Sequence, residues 1–258
     1  MKYLLILLAL IVSFTTLNAD NKHSFRKYQH VKDFYKDITP RAIDICLKHN
    51  LPPAAVLALA GLESGYGRGY VAQITGNILS LGAFKGDKEL PRLNLPYSKS
   101  KKTILFDPKE IKKHSKNDLN WKKRPKSLKR DYRPDPYAGT TKNLELLLYD
   151  DKLRKEARIA CLNDFAKRWI SENSRVKAFR DAKKWLNKSV ELKGKSILFS
   201  MNMNTKFIDK IGGRKNSFNY RKTWPKKAKL IMYKAGLVDL SKNLYINQLS
   251  FKDSWRIK

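Results

Sequence analysis

Residues 51–67 read Leu51-Pro52-Pro53-Ala54-Ala55-Val56-Leu57-Ala58-Leu59-Ala60-Gly61-Leu62-Glu63-Ser64-Gly65-Tyr66-Gly67, and most of the expected architecture follows from them. The prolines open a helix, since proline suits a first turn where its missing N–H has no partner to lose. The run 54–62 carries no charge and is apolar almost all round, so the helix should be central and buried. Gly65, Gly67 and Gly69 stop it. Glu63 therefore sits in the last helical turn, on the same face as Val56, Leu59 and Ala60. Burial and the negative end of the helix dipole both disfavour an ionised carboxylate there, so its pKa should rise. A general acid working near neutral pH needs that shift. The plain alternative is a glutamate at a helix end that reaches solvent or pairs with Arg68.

Outward from this helix, 38–49 reads as a second one, with Thr39 as N-cap, Pro40 in the first turn, and Ile43, Ile45, Cys46 and Leu47 as its apolar positions. Residues 20–36 are basic and weakly periodic and lead into it. Residues 75–100 hold Gly, Asn, Pro and short apolar pairs, a loop texture with room for a hairpin. Residues 101–133 are strongly basic, and Pro125, Pro134 and Pro136 prevent one long helix there. A strand is possible at 144–149. Helical patterns follow at 153–169 and 176–186, with Phe165, Trp169, Phe179 and Trp185 as core anchors. A shorter helix at 206–211 stops at Gly212-Gly213, which reads as a turn. A last helix spans 227–235 after Trp224-Pro225 and ends at Gly236.

The first residues have the form of a secretory signal. Lys2 precedes an apolar run from Tyr3 to Phe14, and Leu17-Asn18-Ala19 offers a cleavage site before Asp20. The run is short of the ~20 residues that span a bilayer. Cleavage after Ala19 and delivery to the periplasm or medium are expected, with an uncleaved anchor as the alternative. No transmembrane anchor would then persist. In an oxidising compartment Cys46 and Cys161 can pair, or they can stand as two separate buried thiols; both readings stay open.

The chain has 258 residues, 55 Lys plus Arg against 23 Asp plus Glu, and a formal net charge of +32. Wholesale disorder does not fit, because 42% of the residues are hydrophobic and 11% aromatic. Two cysteines exclude a disulfide-dense scaffold and a four-cysteine zinc site. His23, His30, His49 and His114 lack metal-ligand spacing and read as surface residues, so no metal or other cofactor is expected. No phosphate loop is present, nor a Gly-x-Ser-x-Gly with a partner histidine. The charge has three explanations. One is lysine-rich coding, with solvated lysine on all faces. Another is attraction to an anionic wall or envelope. The third is a nucleic-acid surface, with Trp121, Tyr132 and Tyr137 among the basic residues. Export counts against the third, and no nucleic-acid partner is expected.

Residues 51–67 resemble the core motif of glucosaminidase-type peptidoglycan hydrolases, the flagellar-muramidase and Bax-like autolysins of the lysozyme superfamily. The resemblance extends through Asn77-Ile78-Leu79-Ser80-Leu81-Gly82-Ala83-Phe84-Lys85-Gly86, and more weakly over 165–211. It implies a mainly α, lysozyme-like α+β fold, a helical domain with a small β or loop lobe over a glycan cleft. Residues 20–50 would form an N-terminal helical segment, 51–240 the catalytic domain with a basic insertion near 97–150, and 241–258 a C-terminal tail. It implies cleavage of the β-1,4 bond after N-acetylglucosamine in peptidoglycan glycan strands, with Glu63 as proton donor. Tyr66, Asn77, Phe84 and Lys85 would line the sugar groove, and no cofactor is implied.

The chain departs from the family in three ways. Gly76-Asn77 stands where paired Asn is usual. Met201 falls where a tyrosine is common, with Tyr97 or Tyr220 as conceivable substitutes. The second carboxylate is unplaced: Glu89 is the first candidate, with Glu110 and Glu145 behind it. Two carboxyls ~5–5.5 Å apart would mean retention and ~6.5–9.5 Å inversion. A lytic transglycosylase, a non-catalytic wall-binding or scaffold protein and an exported nucleic-acid binder are the rival readings.

Overall fold

In the computed structural model, residues 22–82, 93–123 and 149–257 are described. Helices dominate, and a small antiparallel sheet stands to one side.

Helix α1 is Gln29–Lys48. Val31, Phe34, Tyr35, Ile38, Ala42, Ile43, Cys46 and Leu47 recur every three or four residues along it, and all are buried. It starts nine residues before the expected 38–49, so Pro40 lies inside it and Thr39 is not its cap. An interior proline costs ~3 kcal/mol. Burying one large apolar side chain contributes ~1.5–3 kcal/mol, and the face on both sides of Pro40 holds several. Packing wins over propensity.

Helix α2 is Pro53–Ser64, and every residue from Pro53 to Gly61 is buried. The expected central helix is therefore present with its expected ends. Gly65 closes it at φ 56°, a left-handed conformation that costs glycine little. At the other end, the amide of Ala55 donates to Asn204 Oδ1 at 2.8 Å. One of the helix's orphan donors is thus satisfied by a buried side chain distant in sequence.

Helix α3 (Tyr70–Thr75) follows. Strands β1 (Asn94–Ser98), β2 (Thr103–Ile104) and β3 (Leu119–Lys123) form the sheet, in the order β2-β1-β3, with the short helix α4 (Pro108–Ile111) between the last two. Both pairings are antiparallel; Tyr97 faces Ile104 on one side and Asn120 on the other. Leu93 and Leu95 pack with Ile74, Tyr70, Val71 and Ile104 in a small core separate from the main one. The amide of Tyr70 donates to the Phe106 carbonyl at 2.9 Å, tying the lobe to α3. The described part of the basic stretch is thus largely the sheet lobe.

Helix α5 is Asp151–Asp164, continued by a π-helical turn at Phe165–Trp169. Helices α6 (Lys177–Lys193), α7 (Met201–Ile211) and α8 (Trp224–Lys234) extend the expected segments. Phe165, Trp169 and Phe179 are core residues, and Trp185 is half-buried against them. Helix α8 is not the last. Helices α9 (Leu237–Tyr245) and α10 (Phe251–Arg256) follow, so much of the stretch expected as a tail is folded. Trp255 is buried in the core, and the Arg26 guanidinium donates to the carbonyls of Ala235, Gly236, Ser254, Trp255 and Ile257.

Helices α1, α7, α8 and α9 surround α2. Cys46 and Cys161 are free and buried. Burial raises both thiols, that of Cys161 to about 12. No helix among the described residues is long and apolar enough to cross a membrane.

Candidate active site

Glu63 ends the buried helix half-exposed, and its carboxylate is held from across the fold. The Trp224 indole N–H donates to Glu63 Oε1 at 2.7 Å. Trp224 is itself buried, at the first position of α8, with Phe218 5.4 Å away ring to ring. Its ring lies on Gly212. A Cβ added there would fall 2.2 Å from the indole carbons. Gly212-Gly213 is therefore the floor under Trp224 as well as the end of α7.

The turn after Glu63 is stapled by Ser64. Its hydroxyl donates to the Ala60 carbonyl at 2.6 Å and accepts from the Gly67 amide at 2.8 Å. Across from it, the side chain of Asn77 closes the loop 77–81: Nδ2 donates to the Leu81 carbonyl and Oδ1 accepts from the Leu81 amide. That loop presents Ser80, whose hydroxyl donates to the Glu63 carbonyl at 3.2 Å. The resulting cleft is lined by Glu63, Tyr70, Val71, Asn77, Ser80 and Phe106, among others. Glu63 is the one carboxylate among the described residues of that lining.

The structure brings together only some of the residues expected at the site. Asn77 lines the cleft, but its amide is engaged in shaping the loop, which makes it a positioning residue. Tyr66 does not line the cleft. At φ 58° its ring turns back onto Phe25, His30, Phe34 and Tyr35. Burial pushes its hydroxyl up to about 12. Phe84, Lys85, Glu89 and Glu145 lie outside the described residues. Glu110 sits on α4, paired with Lys101. Met201 and Tyr220 are exposed, and Tyr97 lies on β1 under the Lys122 ammonium.

Trp224 was not expected. The sequence offers only Trp224-Pro225 at a helix start, because the Gly212 backbone under the ring and the Glu63 carboxylate come to it from elsewhere in the chain.

The histidines expected at the surface are partly or wholly buried. His23 Nε2 is 3.1 Å from Asp239, and His114 Nδ1 is 2.5 Å from Asp118. Ser98 completes a Ser–His–Asp group with His114 and Asp118, but it is no nucleophilic triad. Its hydroxyl donates to Asp118 at 2.8 Å and meets the same Nδ1 that the aspartate holds. Asp118 also accepts from the Ser100 amide, which with the Ser98 hydroxyl holds its carboxyl far below the usual range. This cluster braces the β1–β2 turn. No group of His, Cys, Asp and Glu that could hold a metal occurs among the described residues.

No protein-family model matches the chain, and no curated protein matches it. A solved structure that it resembles is the catalytic domain of the autolysin Auto from Listeria monocytogenes, at 17% sequence identity over 82% of this chain and 88% of that one, with a TM-score of 0.41.

Proposed function

We propose that the chain is an exported peptidoglycan hydrolase that cleaves β-1,4 glycosidic bonds after N-acetylglucosamine, with Glu63 as general acid. The observation that carries this reading is the Glu63 carboxylate, held by a buried indole at the edge of an open cleft, on the motif that resembles the glucosaminidase helix end.

An indole can only donate. Glu63 Oε1 therefore stays an acceptor in both protonation states, and Oε2 is the oxygen that carries the proton. The glycosidic oxygen takes that proton and keeps the bonding pair as its bond to C1 breaks, so one strand leaves with a free hydroxyl. Water then adds at C1 and gives its surplus proton to a carboxylate. Glu89 is retained as the candidate second carboxylate, Phe84 and Lys85 as groove residues, and cleavage after Ala19 as the export step.

The test is digestion of purified peptidoglycan by residues 20–258, beside Glu63→Gln, read by mass spectrometry of the released fragments. Gln keeps an Oε1 for Trp224 to donate to, so the variant should fold and bind while losing release by ~100-fold or more. Reducing-end N-acetylglucosamine is the expected product. Anhydro-muramic ends would make the enzyme a lytic transglycosylase. Wild-type release that survives in E63Q would overturn the acid assignment. Wall binding without release by the wild type would make the chain a binding module.

A further inference from the structure

The Glu63 cleft does not end at α3. Tyr70 and Phe106 line it, and beyond them Trp121 stands on strand β3 with its ring 6.1 Å from that of Tyr70, tilted by 45°. Trp121 is 57% exposed and Phe106 44%. Among the described tryptophans it is the exposed one, since Trp169, Trp224 and Trp255 are buried and Trp185 is half-buried. The shelf is firmly built. The amide of Tyr70 holds the Phe106 carbonyl, the Leu105 amide holds that of Pro96, and Pro96 faces Trp121 across the ladder.

Tyr70 packs on the lobe's own core of Leu93, Leu95 and Ile74, but Trp121 and Phe106 stand outside that core, and such exposed rings need a reason. Each ring offers a flat, electron-rich face. A pyranose presents the matching surface: one face of polarised C–H bonds, with hydroxyls around its rim. The rings continue a cleft whose polar lining is supplied by Glu63 and Ser80, beside Tyr70 and Phe106. That mixture suits a ligand of alternating apolar faces and polar edges better than a continuous hydrophobic segment.

We infer that Tyr70, Phe106 and Trp121 form a carbohydrate-stacking subsite that carries the glycan from the Glu63 cleft onto the sheet lobe. The inference rests on the glycan-hydrolase reading, and it assigns to the basic segment the task of gripping polysaccharide.

The test uses residues 20–258 with Glu63→Gln, so that no turnover occurs, and soluble N-acetylglucosamine oligosaccharides as the probe. Binding is read by isothermal titration calorimetry, and Trp121→Ala or Phe106→Ala in the same background should weaken it by about fivefold to tenfold. Both side chains are exposed enough for truncation to leave the fold intact, which circular dichroism checks. In the active enzyme, Trp121→Ala should raise KM on peptidoglycan with kcat nearly unchanged. Unaltered affinity and KM in both variants would overturn the subsite while leaving the hydrolase reading standing. Trp121-dependent binding by a protein whose wild type releases nothing would do the reverse. Failure of E63Q to bind the oligosaccharide, or tighter Trp121-dependent binding of a single-stranded oligonucleotide, would overturn the inference.

Discussion

The indole of Trp224 and the carboxylate of Glu63 meet at 2.7 Å although 161 positions separate them in the chain. The contact joins the end of the most buried helix to the start of α8. It fixes one oxygen of the carboxylate.

Removing only the donor should therefore cost turnover more than binding. Trp224→Phe keeps the ring on Gly212 and deletes the N–H. A hydrogen bond to a charged group contributes ~1.5–3 kcal/mol, so kcat should fall by about 10- to 100-fold with KM little changed. On the proposed role of Glu63, the high-pH limb of the rate profile should move toward alkaline pH, because an N–H donor favours the ionised form of the carboxyl it holds. An unchanged limb would deny Trp224 its positioning role.

Gly212→Ala should do more damage than Trp224→Phe. A methyl group 2.2 Å from the indole carbons cannot be accommodated without moving the ring, and the ring is buried against Phe218. Activity should fall at least as far, and the protein should lose about 1–3 kcal/mol of stability by chemical denaturation.

Asn204 is the stability counterpart. Its Oδ1 accepts from the Ala55 amide, and its Nδ2 donates to the carbonyls of Leu198 and Ser200. It is fully buried, so alanine would leave these backbone groups unpaired away from water. Asn204→Ala should cost about 2–4 kcal/mol, read as a lower urea midpoint.

Both thiols should be silent in the native protein. Cys46 and Cys161 are buried and free, and burial raises each pKa, so few thiolates form near neutral pH. A thiol reagent should label neither cysteine in buffer and both in denaturant. Quantitative absence of labelling in denaturant without reductant would indicate a disulfide instead.

Stability should decline as pH falls from 7 to 5. Burial lowers the pKa of His23, and likewise those of His30 and His49. The unfolded chain then takes up protons near pH 6.5 before the folded one does, so stability is full above that pH and is lost as pH falls through the folded values. His23 shows why: Nε2 faces Asp239, while Nδ1 is buried without a hydrogen-bond partner, so a proton there would be stranded. Thermal melts at pH 7, 6 and 5 should show the decline. His23→Asn, which tolerates the left-handed backbone at φ 62°, should start lower and fall less steeply.

The central helix was legible because three local signals agree: prolines at its start, an uncharged run and a glycine that can turn left-handed. Helix α1 was cut short in the reading because Pro40 is a strong local breaker, and only the buried face on both sides of it overrules the rule. Helix α9 has an apolar face of Leu237, Val238, Leu240 and Leu244, but it begins directly after Gly236, which reads as a stop; α10 is short and buries only Ser254 and Trp255. Glu63 could be singled out from its own neighbours. Trp224 could not, since nothing near it in sequence marks a carboxylate as its partner. Tyr66 was misplaced for a backbone reason: a positive φ swings its ring away from the cleft that the neighbouring glutamate faces. Asn77 lines the cleft, and the sequence does not reveal that its amide is occupied within its own loop.

The grip of Arg26 on the carbonyls of Ser254, Trp255 and Ile257 has a consequence for the order of events during synthesis. Arg26, in the segment that leads into the first helix, finds these partners only once the chain has emerged to residue 257. Until then residues 22–28 have the packing of Phe25 on Tyr66 but not the latch that Arg26 makes on those carbonyls. Removing residues 251–257 would therefore be felt at 22–28, as exposed backbone around Arg26 and early proteolysis there.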